Sequence, residues 1–142
     1  MDPTQDREGL GDYVAGTGGS ITGGPGGNPT ADDKTMGMLA HVGAALGTLI
    51  GLPFLAPLIL LLTKGKDSPY IRYHAVESLN LQITSLIPYV ATVILGVVTC
   101  GLGFMLTPLV TVAVVVLNII AGLKANDGEL YRYPVPMVRL IK

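Results

Sequence analysis

The stretch "SPYIRYHAVESLNLQIT", Ser68 to Thr84, decides how the rest of this chain folds. It lies between two long apolar blocks, yet it carries a polar or charged side chain every few residues. At 100° per residue, polar groups from His74 onward share one side of a helix and aliphatic residues cover the other. Ser68 suits an N-cap, and Pro69 suits the first turn. The pattern predicts an amphipathic helix whose polar side meets water, lipid headgroups or another helix, since polar groups are not left unpaired in lipid.

Both apolar blocks beside this stretch are free of charge. No Asp, Glu, Lys or Arg occurs from Thr35 to Thr63, and none from Ser78 to Leu123. Charged residues make up 13% of the 142 residues, against about a quarter in soluble domains. A helix of about 20 apolar residues crosses the ~30 Å hydrocarbon layer of a membrane. The sequence therefore predicts an all-α integral membrane bundle of three to four transmembrane or re-entrant helices.

Residues 1–34 have a different composition from the rest. They hold six of the ten acidic residues and nine of the nineteen glycines, most of them in "GTGGSITGGPGGNP". Such a segment buries too little apolar surface to offset the entropy of ordering it. We expect residues 1–34 to form a Gly-rich acidic tail that is disordered or bound to a partner, and residues 35–142 to form the helical membrane domain.

The first apolar block, residues 35–63, is longer than one straight span requires. Pro53 removes a backbone donor and clashes one turn back, so the helix breaks or kinks at "GLPF". The block is either one kinked span or two short helices in a hairpin, and start and stop signals in each half favour the hairpin. The expected helices cover residues 35–51, 54–64, 70–99 and 104–124, followed by a C-terminal tail, 125–142.

Three glycines of the first block stand four residues apart: Gly43, Gly47 and Gly51. They share one helix face and extend the small-xxx-small pattern by which membrane helices approach closely. The pattern predicts a helix-packing surface, whose partner is a helix of this chain or of another. The one cysteine, Cys100, excludes an internal disulfide and is interpreted as a small residue in a tight turn.

Basic residues set the expected orientation. The connection after the first block carries Lys64, Lys66 and Arg72, and the C-terminal tail is also basic, whereas the connection at "CGLG" has no charge. By the positive-inside rule, the two basic segments face the cytoplasm and Cys100 faces the other side. The C-terminus is then cytoplasmic, and a hairpin in the first block places the N-terminus there too.

Side chains suited to catalysis or metal binding are few. His74 and Glu77 lie one turn apart, as an acid–base pair or two metal ligands would, but His41 is the only other histidine. Zinc and di-iron sites need three or more donors at defined spacing. We therefore predict a non-enzymatic protein with no catalytic residue, no metal and no cofactor. A basic patch for nucleic acid is not found either, so nucleic acid is not an expected partner.

Three segments carry a family resemblance: "DDKTMGMLAHVGAALG", "LAPLILLLTKGKDSPYIRYHAVESLNLQIT" and "NIIAGLKANDGELYRYPVPMVRLIK". The matching features are His41 in the first helix, Pro57-Leu58, "H-A-x-E-S-L-N" from His74 to Asn80, and "KANDGELYRYP" preceded by Asn118. Over residues 32–142 the chain resembles a family of small bacterial multi-pass membrane proteins without an assigned function. That family is similar to the twenty-kilodalton channel component of the chloroplast inner-envelope protein translocon. The resemblance implies a compact four-helix domain in the bacterial cytoplasmic (inner) membrane.

The polar residues of the apolar blocks and their flanks are predicted to form one structural network: His41, Arg72, His74, Glu77, Asn80, Asn118 and Arg132. A buried carboxylate is costly unless it is paired, so we expect Glu77 to bind His74, Arg72 or, if the tail folds back, Arg132. The expected role is an accessory or scaffold subunit, with membrane lipid and other membrane-protein subunits as partners. The alternative is a channel or protein-translocation component that acts as an oligomer, in which a polar stripe on this helix would line an aqueous path. The stripe consists of His74, Glu77, Asn80 and Thr84.

Overall fold

The computed structural model describes residues 29–135 and 138–141. In these residues four α-helices follow one another: α1 (Ala31–Ile50), α2 (Leu55–Thr63), α3 (Pro69–Val98) and α4 (Thr107–Asn126). Short 3-10 turns, Lys64–Lys66 and Leu102–Leu106, lie before α3 and α4. The prediction of a disordered or partner-bound tail falls mostly on residues 1–28, which lie outside the described residues.

Helix α1 begins four residues before the expected start at residue 35. The hydroxyl of Thr30 accepts a hydrogen bond from the backbone N–H of Asp33 at 3.1 Å, and the Asp33 carboxylate accepts one from the N–H of Thr30 at 2.9 Å. This reciprocal pair is a capping box, which satisfies two otherwise unpaired donors at the helix start. Residues 31–34 therefore belong to the first helix and not to the tail.

Helices α1 and α2 form a hairpin. Gly51 ends α1 in the left-handed region, with a φ of 81°, and its N–H donates to the carbonyl of Gly47. The chain then turns back, so that a Cβ added at Gly43 would lie 2.4 Å from the Cβ of Ala56 in α2. Gly43 and Gly47 thus allow close packing within the chain. Gly51 differs from the expectation: its missing Cβ would face open space, and it serves as the helix stop.

Helices α3 and α4 form a second, longer hairpin. Helix α3 has 30 residues and is therefore about 45 Å long. Cys100, with a φ of 50°, and Gly101, with a φ of 107°, make the turn that follows it. Helix α4 returns antiparallel to α3, because Tyr89 of α3 bonds to Thr111 near this turn, and Tyr70 at the start of α3 bonds to the carbonyl of Ala125.

The charged residues that the structure describes gather at one end of the molecule, here named the charged end. Lys34 lies against Gly128, Gly65 lies against Arg72, and Arg139 pairs with Glu77. The opposite end, the turn at residues 99–106, has no charged side chain and is named the uncharged end. The α1–α2 hairpin contacts the half of α3 nearest the charged end, whereas α3 beyond Leu86 is largely exposed.

Candidate functional site

The first half of α3 is enclosed on both sides, and its amphipathic sequence left open whether the polar side meets water, lipid headgroups or another helix. Its buried residues include polar and apolar ones: Tyr70, Ile71, His74, Ala75, Glu77, Ser78, Leu79, Asn80, Leu81, Gln82 and Ser85. Helices α1 and α4 cover one side, and the described part of the C-terminal tail after α4, residues 127–135 and 138–141, folds back over the other. The polar side of the helix therefore meets protein.

A chain of hydrogen bonds crosses the centre of this region. His41 Nε2 of α1 lies 3.0 Å from His74 Nδ1 of α3. His41 Nδ1 lies 2.8 Å from the hydroxyl of Tyr133 in the tail, which is also 3.3 Å from Asn118 Oδ1 of α4. Asn118 itself donates to the carbonyl of Val114 at 2.9 Å. One chain of bonds thus joins α1, α3, α4 and the tail.

The heavy-atom positions in this chain permit two proton arrangements. In the first, Tyr133 donates to His41 and His41 donates to His74. In the second, Tyr133 donates to Asn118, and the two histidines reverse their roles. The shorter contact, 2.8 Å against 3.3 Å, favours the first arrangement. The chain can therefore reverse its direction without a change in fold.

Tyr133 remains a neutral phenol in this environment. Burial raises its pKa well above the usual value of 10.0, and the nearby negative charge of Glu77 raises it further. A neutral phenol keeps the single proton that either arrangement of the hydrogen-bond chain requires. The tail thus contributes a constant donor to the histidine pair.

The C-terminal tail is held on α3 by a second group of polar contacts. Glu77 forms an ion pair with Arg139, and their side chains are 3% and 19% exposed. Asn80 accepts from the N–H groups of Leu140 and Ile141 at 3.1 and 3.0 Å, and donates to the carbonyl of Ile141 at 2.9 Å. Thr84 accepts from the N–H of Val138 at 3.0 Å. The helix thereby binds residues 138–141 mainly through their backbone.

Five of the seven residues named for the network take part in these two groups of contacts. His41, His74 and Asn118 lie in the central chain, and Glu77 and Asn80 bind the tail. The other two, Arg72 and Arg132, lie at the charged end, half-buried and exposed respectively.

Two central residues escaped the sequence analysis. Arg139 pairs with Glu77, whereas the residues considered for that role were His74, Arg72 and Arg132. By residue type Tyr133 suits the membrane interface, but it is 4% exposed and lies against His41. The sequence "YRYP" signals an aromatic anchor, and nothing in "MVRLI" singles out Arg139 before the tail is known to fold back.

Two buried nitrogens in this half of the molecule lack a hydrogen-bond partner among the described residues: His74 Nε2 and Gln82 Nε2. The backbone of Glu129 lies close to the His74 ring. Within residues 29–135 and 138–141, no three His, Cys, Asp or Glu side chains cluster as metal ligands.

A family profile matches residues 32–141, which is most of the chain: the magnetosome magnetite crystal formation protein family (MamF/MmsF). The chain belongs to this family. Neither the comparison with curated proteins nor the comparison with solved structures found a match. The expected membership in a family of small bacterial membrane proteins is thereby confirmed, whereas these comparisons give no support for similarity to the chloroplast translocon component.

The MamF/MmsF assignment agrees with the apolar exterior of the helices. Two stretches, Pro69–Val98 and Leu102–Asn126, are long and apolar enough to cross a membrane. In the half of α3 nearest the uncharged end, Ile87, Ile94 and Val98 are 61%, 58% and 73% exposed. Exposed apolar surface of this extent suits lipid, not water. The chain is a helical bacterial membrane protein.

Proposed function

We propose that this chain is a non-enzymatic accessory or scaffold subunit of the magnetosome membrane. In this role it acts through contacts with lipid and with other membrane-protein subunits, in the membrane that encloses a growing magnetite crystal. The family match over residues 32–141 supports the location.

The observation that carries the scaffold role is the use made of the polar residues of α3. Glu77 and Asn80 hold the chain's own tail, and His74 joins α3 to α1. These contacts hold the helices and the tail together inside the bundle. The exterior is left apolar, with exposed residues such as Leu49 and Ile50 on α1. A rigid apolar exterior with charges at one end suits a protein that is held at a fixed depth beside other subunits.

The proposed orientation follows from the same asymmetry. The charged end holds Lys64, Lys66 and Arg72, and both the start of α1 and the C-terminal tail lie there. We propose a multi-pass topology with this end in the cytoplasm and the uncharged end on the other side, inside the magnetosome, because basic segments are retained on the cytoplasmic side.

Copurification tests the proposal. Membranes that enclose magnetite are separated from the remaining cell membranes, solubilised in mild detergent, and crosslinked through a photoreactive residue at position 21 in place of Ile21. We expect enrichment in the crystal-enclosing fraction and a crosslink to another membrane protein, with non-illuminated membranes as control. Equal amounts in all membranes would contradict the location, and a protein that always runs alone would contradict the scaffold role.

The second candidate is a channel or protein-translocation component that acts as an oligomer, and the polar residues along one side of α3 favour it. Its proposed lining, the stripe that includes Glu77, Asn80 and Thr84, is occupied by the C-terminal tail. A pore around this stripe would require the tail to leave it. Conductance in planar bilayers that appears only after removal of residues 138–142 would support this candidate over the scaffold role.

A further inference from the structure

A line of polar side chains follows the inner side of α3 from the charged end towards the uncharged end. Its members are spaced three or four residues apart, so they lie on one helix face: His74, Ser78, Gln82, Ser85, Tyr89 and Thr92. All are buried except Tyr89, which is half-buried. We name this line the polar seam. Polar groups at such depth in a membrane helix are costly and typically mark an ion or proton pathway.

The seam has polar neighbours on both facing helices. Nearest the charged end, His74 meets His41, and Ser78 donates to the carbonyl of Ala40 at 3.0 Å. Nearest the uncharged end, the polar neighbours come from α4. Tyr89 donates to the hydroxyl of Thr111 at 3.0 Å, and Thr107 donates to Thr92 at 3.2 Å. The polar lining therefore continues along both halves of α3.

Two seam residues each have a side-chain nitrogen that is available for a further hydrogen bond. His74 Nε2 and Gln82 Nε2 are buried without a hydrogen-bond partner in the described part of the chain. An unpaired buried polar group costs free energy, and native proteins meet that cost with bound water. Residues one helical turn apart are about 5–6 Å from each other, a gap that one bridging water closes with two hydrogen bonds. Water at these positions would join successive seam residues.

The histidine pair adds a group that can pass a proton on. In the second proton arrangement His74 Nε2 carries no proton, so it can accept one from a bridging water and release it again to a bridging water along the seam, while His41 and Tyr133 keep the protons they have. Each transfer breaks one N–H or O–H bond and forms another, so no net charge stays on the chain. Reversible donors and acceptors in sequence are what a proton relay requires.

We propose that the polar seam conducts protons across the membrane between the charged and the uncharged end. At the charged end the seam starts beside Tyr70, whose surroundings include the carboxylates of Asp33, Asp127 and Glu129. The groups that face the histidine pair are Tyr70 and Tyr73 of α3 and Tyr133 of the tail, with Glu77 held by Arg139.

The physiological meaning, but not the conduction itself, rests on the proposed function. One ferrous ion, two ferric ions and four water molecules give one formula unit of magnetite and release eight protons. A membrane that encloses a growing crystal must remove those protons for precipitation to continue. A proton path through that membrane would serve this need.

The test uses the full-length protein in liposomes with a trapped pH-sensitive dye, and potassium with valinomycin to balance charge. We expect an imposed pH gradient to decay faster with the wild type than in protein-free vesicles. Gln82→Leu should slow this protein-dependent decay about ten-fold or more, as a barrier raised by about 1.4 kcal/mol would. The variant should fold, because an apolar side chain of similar size replaces an amide whose nitrogen has no hydrogen-bond partner in the described part of the chain.

Two further variants complete the design. Ser85→Ala should also slow the decay, whereas Ile87→Ala, at a side chain that is 61% exposed on the outside of the same helix, should not. Far-ultraviolet circular dichroism and thermal unfolding verify that each variant is folded. Decay by the wild type no faster than in protein-free vesicles would overturn the proposal, and so would an unchanged rate in folded Gln82→Leu. Neither result bears on the copurification that tests the scaffold role.

Discussion

Glu77 and Arg139 are the residues that most directly fix the C-terminal tail on α3. The Glu77 side chain is 3% exposed, so its charge is separated from water and depends on the guanidinium beside it. Removing only one partner leaves the other charge buried without compensation, which costs more than the pair itself contributes.

We predict that Glu77→Ala lowers the free energy of unfolding by about 2 kcal/mol or more, because Arg139 loses its counter-charge. Glu77→Gln should be milder, since the amide keeps a hydrogen-bond acceptor. Thermal unfolding in detergent measures both, with Lys66→Ala at an exposed site as the control. Equal stability of all four proteins would show that this ion pair does not hold the tail.

Tyr133 is the second residue on which the site depends, because it joins the tail to the histidine pair. We predict that Tyr133→Phe costs about 1–3 kcal/mol, since it removes the hydroxyl that bonds to the buried His41 Nδ1. Tyr131→Phe is the matched control, because the Tyr131 ring packs edge-to-face against Tyr133 and its backbone carbonyl accepts from Tyr73. If the two substitutions have equal effects on thermal unfolding, the Tyr133 hydroxyl is not the link.

At the scale of elements, the α1–α2 hairpin depends on two small residues in contact. Gly43 and Ala56 face each other so closely that no Cβ fits at position 43 without movement of one helix. Close approach between small residues replaces the hydrophobic driving force that membrane helices lack in lipid. The hairpin is therefore sensitive to volume at this point.

We predict that Gly43→Ala destabilises the hairpin, because the new Cβ would lie 2.4 Å from that of Ala56. Adding Ala56→Gly should restore most of the loss, since the methyl group then only changes sides. A double-mutant cycle of thermal unfolding in detergent measures this coupling. Additive effects of the two substitutions would mean that the helices are not in contact there.

At the scale of the whole molecule, the two ends differ in charge, and this difference predicts a membrane orientation. Labelling with a membrane-impermeant maleimide checks it: Cys100 at the uncharged end should react only from the side opposite the cytoplasm. A cysteine introduced as Lys66→Cys in a Cys100→Ser background should react only from the cytoplasmic side. Reaction of both cysteines from the same side would contradict the proposed topology.

Composition and periodicity predicted the coarse fold, and local signals predicted where helices change direction. Uncharged blocks of more than 20 residues indicate membrane helices whatever they pack against. Pro53 with Gly51 before it, and Ser68 with Pro69, act within one helical turn, so the sequence alone favoured the break after α1 and the start of α3. Spacing alone groups Gly51 with the two packing glycines, because all three stand four residues apart. Only the φ of Gly51, which the sequence does not show, makes it a helix stop.

What the tertiary structure decided is the use of each polar group in α3. The sequence places His74, Glu77 and Asn80 near one side of a helix, but whether that side meets water, lipid or protein depends on where a segment about 60 residues further along the chain returns. Tyr133 and Arg139 gain their roles only through that return, because a hydrogen bond between distant residues leaves no periodic signal in either segment. The positions of the helices depend on residues close in sequence, whereas the partners of the polar side chains in this site depend on residues that only the fold brings close in space.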